Sequence, residues 1–127
     1  MQTFLPHSNF DKTAEHLDGK RLIKQSVENL QILKSLAGLY GETGAWRNHP
    51  AVKMWRGHED FLFLYNESII KEILLRGYKN TTNIQFDEIY QENFIGLESE
   101  TPWWLGNESL HYSHKGRLYE KDPDQYY

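Results

Sequence analysis

Several polar residues between positions 18 and 37 are spaced so that one helix face would hold a carboxylate among cations. At about 100° per residue, this stripe contains Lys20, Lys24, Glu28 and Gln31, with Arg21 at its margin. A carboxylate beside cations can act as a general acid or base next to a phosphate-binding edge. Because the stripe lies opposite the predicted apolar face, the alternative is an ordinary solvated surface with a Lys24–Glu28 ion pair.

A second basic group lies near the end of the chain. His114, Arg117 and Lys121 recur at i, i+3 and i+7, and Lys115 is next to them. This strip predicts phosphate contacts, or else a basic surface at a helix C-terminus that the helix dipole favours. His111 and His114 are spaced i, i+3, but no carboxylate at metal-ligand spacing accompanies them, so we expect no metal.

Two further clusters could contact a ligand. Residues 47–50 bring three polar side chains to a helix start, where they could bind an anion or only cap the helix: Arg47, Asn48 and His49. The pair Trp103–Trp104 favours packing in a connector over a platform for stacking bases. The sequence has no Gly-rich phosphate loop, Ser-His-Asp order or paired-carboxylate spacing.

Length and composition restrict the class of protein. The chain has 127 residues, of which 39% are hydrophobic and 25% charged, and this suits one globular domain spanning 1–127. The absence of cysteine excludes a disulfide scaffold, a thiolate zinc site and thiol catalysis. No apolar run approaches the roughly 18 residues of a membrane span and no signal peptide pattern is present, so we expect a cytoplasmic protein.

Charge is unevenly distributed along the chain, although its net value is only −4. Residues 1–58 hold eight Lys and Arg against five Asp and Glu, whereas residues 59–127 hold six against thirteen. A surface polarised in this way can bind a polyanion on one face and repel it from the other. We expect the acidic segment 87–100 to face away from such a partner.

The hydrophobic pattern predicts an all-α fold, a compact helical bundle, because no stretch sustains the period-two alternation of a strand. Ser8, Asp18 and Asn107 are the predicted N-caps, and Ile23 belongs to the predicted apolar face of the second helix. Gly57 is expected to bend the third helix. The predicted helices run from about 9 to 17, 19 to 37, 50 to 76, 86 to 93 and 108 to 121.

These features together resemble the pyrimidine-dimer DNA glycosylases, the endonuclease V type of phage repair enzymes and their bacterial relatives. The likeness covers most of the chain and includes a second helix in which an essential Glu follows a helix Leu by six residues, as Glu28 follows Leu22. It rests on four segments in order: His16-Leu17-Asp18 with Leu22 and Glu28; Arg47-Asn48-His49-Pro50 with Val52; Phe61-Leu62 through Leu75-Arg76-Gly77-Tyr78; and Arg117-Leu118 with Glu120-Lys121.

The resemblance implies an N-glycosylase with coupled abasic-site lyase activity on damaged pyrimidines in duplex DNA, without metal or cofactor. In that family the amino-terminal amine attacks C1′ of the nucleotide and forms a Schiff base, and Glu28 takes the role of the Glu that assists. No membrane or obligate protein partner is expected. The resemblance and the two basic strips together predict DNA contacts at Lys20, Arg21, Lys24, Gln31, Lys115, Arg117 and Lys121. The predicted substrate pocket is Arg47, Asn48 and His49.

The start of this chain departs from the phage enzyme, which exposes a small residue once its initiator Met is removed. The bulk of Gln2 disfavours that removal, so the predicted nucleophile is the amine of Met1. Two alternatives stay open: a non-catalytic nucleic-acid-binding module of the same fold, and a glycosylase or hydrolase for another modified base that uses Glu28 with water. The sequence leaves the lesion and the oligomeric state open.

Overall fold

The computed structural model of the protein describes residues 2–40 and 47–121. Within these ranges the chain forms six α-helices and no strand, so the prediction of an all-α bundle is confirmed. None of the helices in the described ranges is long and apolar enough to cross a membrane. In chain order the helices are α1 (Phe10–His16), α2 (Gly19–Leu36), α3 (Pro50–Lys53), α4 (Glu59–Leu75), α5 (Asn83–Asn93) and α6 (Glu108–Lys121).

Side chains at the helix starts agree with the predicted caps in part. Asn9 caps α1 through its side-chain oxygen, at 3.0 Å from a first-turn N–H, so the prediction of Ser8 is wrong by one residue. Asn107 caps α6 in the same manner at 3.1 Å, as predicted. Asp18 precedes α2, but its carboxylate pairs with Arg21 at 3.1 Å instead of bonding a backbone N–H.

The single long helix predicted from position 50 is two separate helices. Between α3 and α4, Gly57 has a φ of +82°, a left-handed conformation that a helix cannot continue through. The break turns Trp55 into the core, where its ring stacks on Tyr65 at 5.5 Å between centroids and meets Trp104 edge-on at 5.0 Å. Burial of this large aromatic surface offsets the interrupted helix.

The long helix α4 packs against both α1 and α2, and α2 in turn packs against α3 and α5. Ile23 was predicted on the apolar face of α2 but is an exposed side chain. The buried face is turned away from Ile23 because α2 also buries polar residues at Gln25 and Asn29. Fully buried side chains of α2 and α4 form the centre of the core, among them Leu22, Leu33, Leu62, Ile69 and Ile73.

Candidate active site

The first described residues of the chain run beside α2 and are held in the protein interior. Thr3, Phe4 and Leu5 are buried. Gln25 uses both ends of its amide on this segment: Nε2 donates to the carbonyl of Gln2 at 3.0 Å, and Oε1 accepts the N–H of Phe4 at 3.0 Å. The position of the segment along α2 is therefore set by one buried side chain.

Two aromatic side chains hold the same segment from another side. The hydroxyl of Tyr65 on α4 donates to the carbonyl of Phe4, and the indole Nε1 of Trp55 donates to Oγ1 of Thr3 at 3.2 Å. Burial raises the pKa of the Tyr65 phenol, and the negative charge of Glu28 raises it further. Tyr65 therefore stays a neutral donor, and the carboxylate that acts on it lies close by.

Two histidines of α6 complete the enclosure. The N–H of Leu5 donates to Nδ1 of His114 at 2.8 Å, and Nδ1 of His111 lies 2.8 Å from the carbonyl of Leu5. Because Nε2 of His111 accepts the N–H of Gly106 at 2.9 Å, its proton is on Nδ1, which donates to Leu5. We call the side chains that bond to residues 2–5 the cradle: Gln25, Trp55, Tyr65, His111 and His114.

The cradle explains both histidines without a metal. Burial lowers the pKa of His114 to about 4, with the positive charge of Arg117 as the second cause, so His114 is neutral and its Nδ1 can accept the hydrogen bond from the N–H of Leu5. The prediction that His114 belongs to a surface strip is wrong, because its ring faces the amino-terminal segment. In the part of the chain that the structure describes, no three His, Asp or Glu side chains converge as metal ligands.

Glu28 lies one turn beyond Gln25 on the same side of α2. Its side chain is 7% exposed, so the alternative of an ordinary solvated stripe is wrong at this residue, and the reason is that the amino-terminal segment lies against this side of the helix. Burial raises the pKa of the Glu28 carboxyl, while the positive charges of the chain's amino terminus, Lys24 and Lys121 act in the opposite direction. A buried carboxyl thus lies beside the start of the chain and below two exposed cations.

Those cations come from two helices that are far apart in sequence. Lys24 of α2 and Lys121 of α6 are both exposed, and both act on the charge of Glu28. Lys20 is exposed one turn earlier on α2, and Gln31 is half-buried beyond Glu28. The structure therefore brings part of each predicted basic strip to one edge of the bundle.

Two other predicted DNA contacts have different surroundings. The guanidinium of Arg21 is bound to the carboxylate of Asp18 at 3.1 Å, in an ion pair that is largely shielded from solvent. Lys115 is exposed on α6 but two positions from Arg117, so the two side chains point to opposite sides of the helix. Lys115 acts instead on the imidazole of His7.

A pocket of about 440 Å³ opens beside the amino-terminal segment. Its wall includes Gln2 and Thr3 from that segment, His49 from the start of α3, and Arg117 from α6. Trp103, which is 83% exposed, also lines it. The pocket thus combines the start of the chain, a cation, an imidazole and an exposed aromatic ring.

The predicted substrate cluster at 47–50 is divided by the structure. His49 lines the pocket, and its Nδ1 accepts the N–H of Ala51 at 3.1 Å as the cap of α3. Arg47 and Asn48 are exposed and are not part of the pocket wall. The capping interpretation is therefore confirmed for His49, which also lines the pocket, and its contact with a substrate stays a prediction.

The adjacent tryptophans also differ from each other. Trp104 is buried, packs edge-on against Trp55, and donates its Nε1 hydrogen to the carbonyl of Met54 at 2.9 Å. Trp103 is exposed at the pocket wall. The packing interpretation is confirmed for Trp104, whereas Trp103 has a free ring face available for a ligand.

Sequence reasoning missed most of the cradle. Gln25 also donates to Asn29 at 2.8 Å, and Asn29 donates to Asn66 of α4 at 3.2 Å, so a buried polar network links the two helices. Buried polar residues at helical spacing among core leucines are the local signal for such a network. That signal does not identify the partners, because Gln25 bonds across 21 positions and His114 across 109.

Comparison with known protein families gives one match. Residues 1–86 match the family model described as pyrimidine dimer DNA glycosylase. No curated protein and no solved structure matches the chain. The matched range contains Gln25, Glu28 and Tyr65, whereas the two histidines of α6 lie beyond it. Since the match extends over well more than half of its residues, the chain belongs to the pyrimidine dimer DNA glycosylase family.

Proposed function

We propose that this DNA repair glycosylase removes damaged pyrimidines from duplex DNA and then cleaves the abasic site, through an imine between the amine of Met1 and C1′ of the nucleotide. Glu28 assists both steps by proton transfer. The reaction uses no metal or cofactor. The single observation that carries the proposal is the hydrogen bonding of Gln2 and Phe4 to Gln25, one helical turn from Glu28.

The cradle supports this assignment because a nucleophile must be held at a defined place. Residues 2–5 are hydrogen-bonded to side chains of α2, α4 and α6 and to Trp55. Neighbouring Cα atoms across a trans peptide bond are about 3.8 Å apart, so an anchored Gln2 limits how far the preceding amine can be. Met1 itself lies outside the described residues.

An α-amine suits the reaction better than a lysine at neutral pH. Its reference pKa is about 7.7–8.0 against about 10.4 for Lys, so a larger fraction is unprotonated and nucleophilic. The nitrogen forms a bond to C1′ as the bond from C1′ to the base breaks, and the base leaves with a proton. The C1′–O4′ bond then opens as O4′ takes up a proton, which leaves the protonated imine. Loss of a proton from C2′ expels the 3′-phosphate by β-elimination and breaks the strand.

Glu28 has the environment of a group that exchanges protons. Burial raises the pKa of its carboxyl above the ordinary value, which brings it nearer to the pH at which the enzyme works. The opposing positive charges of Lys24 and Lys121 keep a carboxylate form accessible. Glu28 can therefore accept a proton from the attacking amine and return it to O4′ or the departing base.

The surrounding surface fits a duplex whose damaged nucleotide leaves the stack. Lys20, Lys24 and Lys121 are exposed for backbone phosphates near Glu28. A pocket of about 440 Å³ has the size of a small-ligand site, and it can receive a flipped nucleotide between His49 and Trp103.

A second candidate is a glycosylase in which water attacks and Glu28 serves as the general base. The buried carboxyl beside a polar pocket supports it, because that chemistry needs no amine. A non-catalytic DNA-binding module of the same fold needs the cations and the pocket but not the carboxyl. The three candidates differ in products and in covalent intermediates.

Two assays separate them. Incision of ultraviolet-irradiated plasmid, with untreated plasmid as the control, tests for action on damaged pyrimidines. Borohydride reduction then tests for the imine, because only an amine-based enzyme becomes covalently attached to DNA. Alkali-labile abasic sites without trapping would favour water as the nucleophile, and binding without such sites would favour the non-catalytic module.

A further inference from the structure

We infer that the pocket beside Gln2 selects the base that enters it through two hydrogen-bond donors, the hydroxyl of Thr3 and Nε2 of His114. The base that these donors fit is a pyrimidine with a carbonyl at C4, as in thymine and uracil. This selectivity rests on the proposed function, because it names the class of base that the same site takes. The pocket is the cavity of about 440 Å³ that opens beside the amino-terminal segment.

The ring of His114 has one nitrogen that bonds within the protein and one that does not. Nδ1 accepts the N–H of Leu5 at 2.8 Å, so the single hydrogen of the neutral ring is on Nε2. No described residue accepts a hydrogen bond from Nε2. Every fully shielded side-chain nitrogen or oxygen in the described ranges has a partner, so Nε2 reaches an accessible surface. A ring that is 5% exposed and lines the pocket thus presents one N–H to it.

The hydroxyl of Thr3 also has a hydrogen left to donate. Nε1 of Trp55 donates to Oγ1 of Thr3 at 3.2 Å, and because an indole N–H can only donate, this bond uses a lone pair of the oxygen. Within the described part of the chain, the hydroxyl donates to no acceptor. Thr3 is 5% exposed and lines the pocket. Accepting the indole hydrogen polarises the hydroxyl, which makes it a stronger donor to a ligand.

The other polar side chains of the described wall add donors and no carboxylate. Nδ1 of His49 accepts the N–H of Ala51, so the hydrogen of its neutral ring is also on Nε2. The guanidinium of Arg117 can only donate, whereas the side-chain amide of Gln2 can donate or accept. A ligand with several acceptors therefore satisfies this wall, and an amino group turned towards it would meet other donors.

The apolar side chains of the wall fit the faces of a flat ring, among them Met54, Trp103 and Leu110. A pyrimidine with carbonyls at C2 and C4 has an acceptor on each side of N3, whereas cytosine and 5-methylcytosine have an amino group at C4. A desolvated donor that faces an amino group has no acceptor, and sites built for hydrogen bonding strongly reject such analogues. The pocket should therefore take a thymine-type base and reject a cytosine-type base.

The test compares three cis-syn cyclobutane dimers in one duplex sequence. One dimer joins two thymines, and the other two replace either the 5′ or the 3′ thymine with 5-methylcytosine, which exchanges a C4 carbonyl for an amino group and keeps the methyl group. We expect the wild type to cleave at least one mixed dimer about 10–100-fold more slowly than the thymine dimer. Mass spectrometry of each substrate before use verifies that the amino group has not been lost by deamination.

Two variants remove the donors one at a time. Thr3→Val keeps the shape of the side chain without the hydroxyl, and His114→Asn can place its Oδ1 where Nδ1 accepts the N–H of Leu5, with no group at the place of Nε2. The variant that removes the donor opposite C4 should reduce the preference to within about threefold, and Thr3→Ser, the matched control, should keep it. Because the preference is a ratio of rates measured on one protein, a loss of stability that slows all substrates does not change it.

Equal cleavage of the three dimers, or a preference that persists in both Thr3→Val and His114→Asn, would overturn this selectivity and leave the proposed function in place. Failure to cleave any dimer would instead overturn the proposed function. Titration with free nucleosides, read from the imidazole NMR signals of His114, then decides the preference of the pocket. Thymidine should move these signals at about tenfold lower concentration than 5-methyldeoxycytidine, and equal shifts or none would show that the pocket does not select a C4 carbonyl.

Discussion

The side-chain amide of Gln25 donates a hydrogen bond of 3.0 Å to the carbonyl of Gln2. This contact joins the second residue of the chain to the helix that carries Glu28, which lies three residues further along the same face. A mobile chain start would lose much conformational entropy on each catalytic cycle, whereas one held by buried hydrogen bonds has already lost it. The hydrogen bond between Gln25 and Gln2 therefore holds the start of the chain near Glu28 before DNA binds.

Replacing Glu28 with Gln should abolish most base removal while the protein remains folded. The amide keeps the shape of the side chain but cannot exchange the proton, and loss of general acid–base assistance reduces rates by about 10²–10⁴-fold. Cleavage of the glycosidic bond in irradiated DNA, read as strand breaks after alkali in single turnover, measures the effect. Glu15→Gln, at an exposed position of α1, is the matched control and should retain wild-type turnover.

The same variant should be more stable than the wild type at neutral pH. The pKa of the Glu28 carboxyl is raised in the folded protein, so ionisation of this group destabilises the fold as the pH rises above its ordinary value near 4.5. Below that value both states are protonated and the difference should disappear. Melting temperatures at pH 7 and pH 3.5 test this, and a lower melting temperature for Glu28→Gln at pH 7 would indicate a structural ion pair instead.

Extending the amino terminus by a few residues that are not removed should eliminate borohydride trapping, because the new amine would be displaced from Glu28. The same residues added at the carboxyl terminus should leave trapping unchanged. Peptide mapping of a trapped wild-type complex should find the adduct on Met1. An adduct on Lys20 or Lys24 would show that the nucleophile is on α2.

Acid should weaken the cradle through His114. The pKa of this imidazole is lowered to about 4 in the folded protein, so its stabilising contribution is complete above the ordinary value of 6.5 and is lost as the pH falls towards 4. The shift corresponds to about 3 kcal/mol of unfolding free energy across that interval. Urea unfolding at pH 7.5 and pH 4 should show a smaller loss for His114→Gln, and an equal loss in both proteins would contradict the assignment.

The edge formed by α2 and α6 should account for most of the salt dependence of DNA binding. Single Ala substitutions of the proposed phosphate contacts should each weaken binding to damaged and undamaged duplex equally and reduce the slope of log K against log salt by about 0.9. Lys71→Ala and changes in the acidic segment 87–100 should leave the slope unaltered. The variants are Lys20→Ala, Lys24→Ala and Lys121→Ala. Arg117→Ala should reduce the slope by the same amount but weaken binding to damaged duplex more, because Arg117 also lines the pocket.

His49→Ala should behave differently from those variants. Its ring faces the pocket, so its loss should weaken binding to damaged DNA selectively and leave the salt slope nearly unchanged. Fluorescent duplexes titrated at several salt concentrations supply both quantities. Equal loss of affinity for damaged and undamaged duplex would show that His49 does not contact the damaged nucleotide.

Substitution of one of the two adjacent tryptophans should affect DNA binding, and substitution of the other should affect stability. Trp103→Ala removes an exposed ring and should change the unfolding free energy by less than about 0.5 kcal/mol, while weakening binding to damaged duplex about tenfold through lost stacking. Trp104→Ala empties a core position and should lower the unfolding free energy by about 3–5 kcal/mol. Unchanged affinity in Trp103→Ala would exclude the ring from the nucleotide site.

Local patterns in the sequence determined the helical class, the starts of α2 after Asp18 and of α6 after Asn107, and the place of Glu28 in a polar stripe, whereas its role came from the family resemblance. These properties depend on residues within one or two helical turns, where spacing alone decides which side chains share a face. The sequence predicts only a bend at Gly57, whereas the structure has a break between two helices. The burial of Trp55 that favours the break depends on the rings of Tyr65 and Trp104, which are 10 and 49 positions away.

Tertiary structure alone decided the surroundings of those residues. Glu28 belongs to a polar stripe by spacing, yet it is buried, since the amino-terminal segment covers that side of α2. His114 belongs to a basic strip by spacing, yet it is neutral and faces inward to Leu5, which is 109 positions earlier. Helical periodicity shows which residues share a face, but burial and hydrogen bonding depend on which distant segment packs against that face.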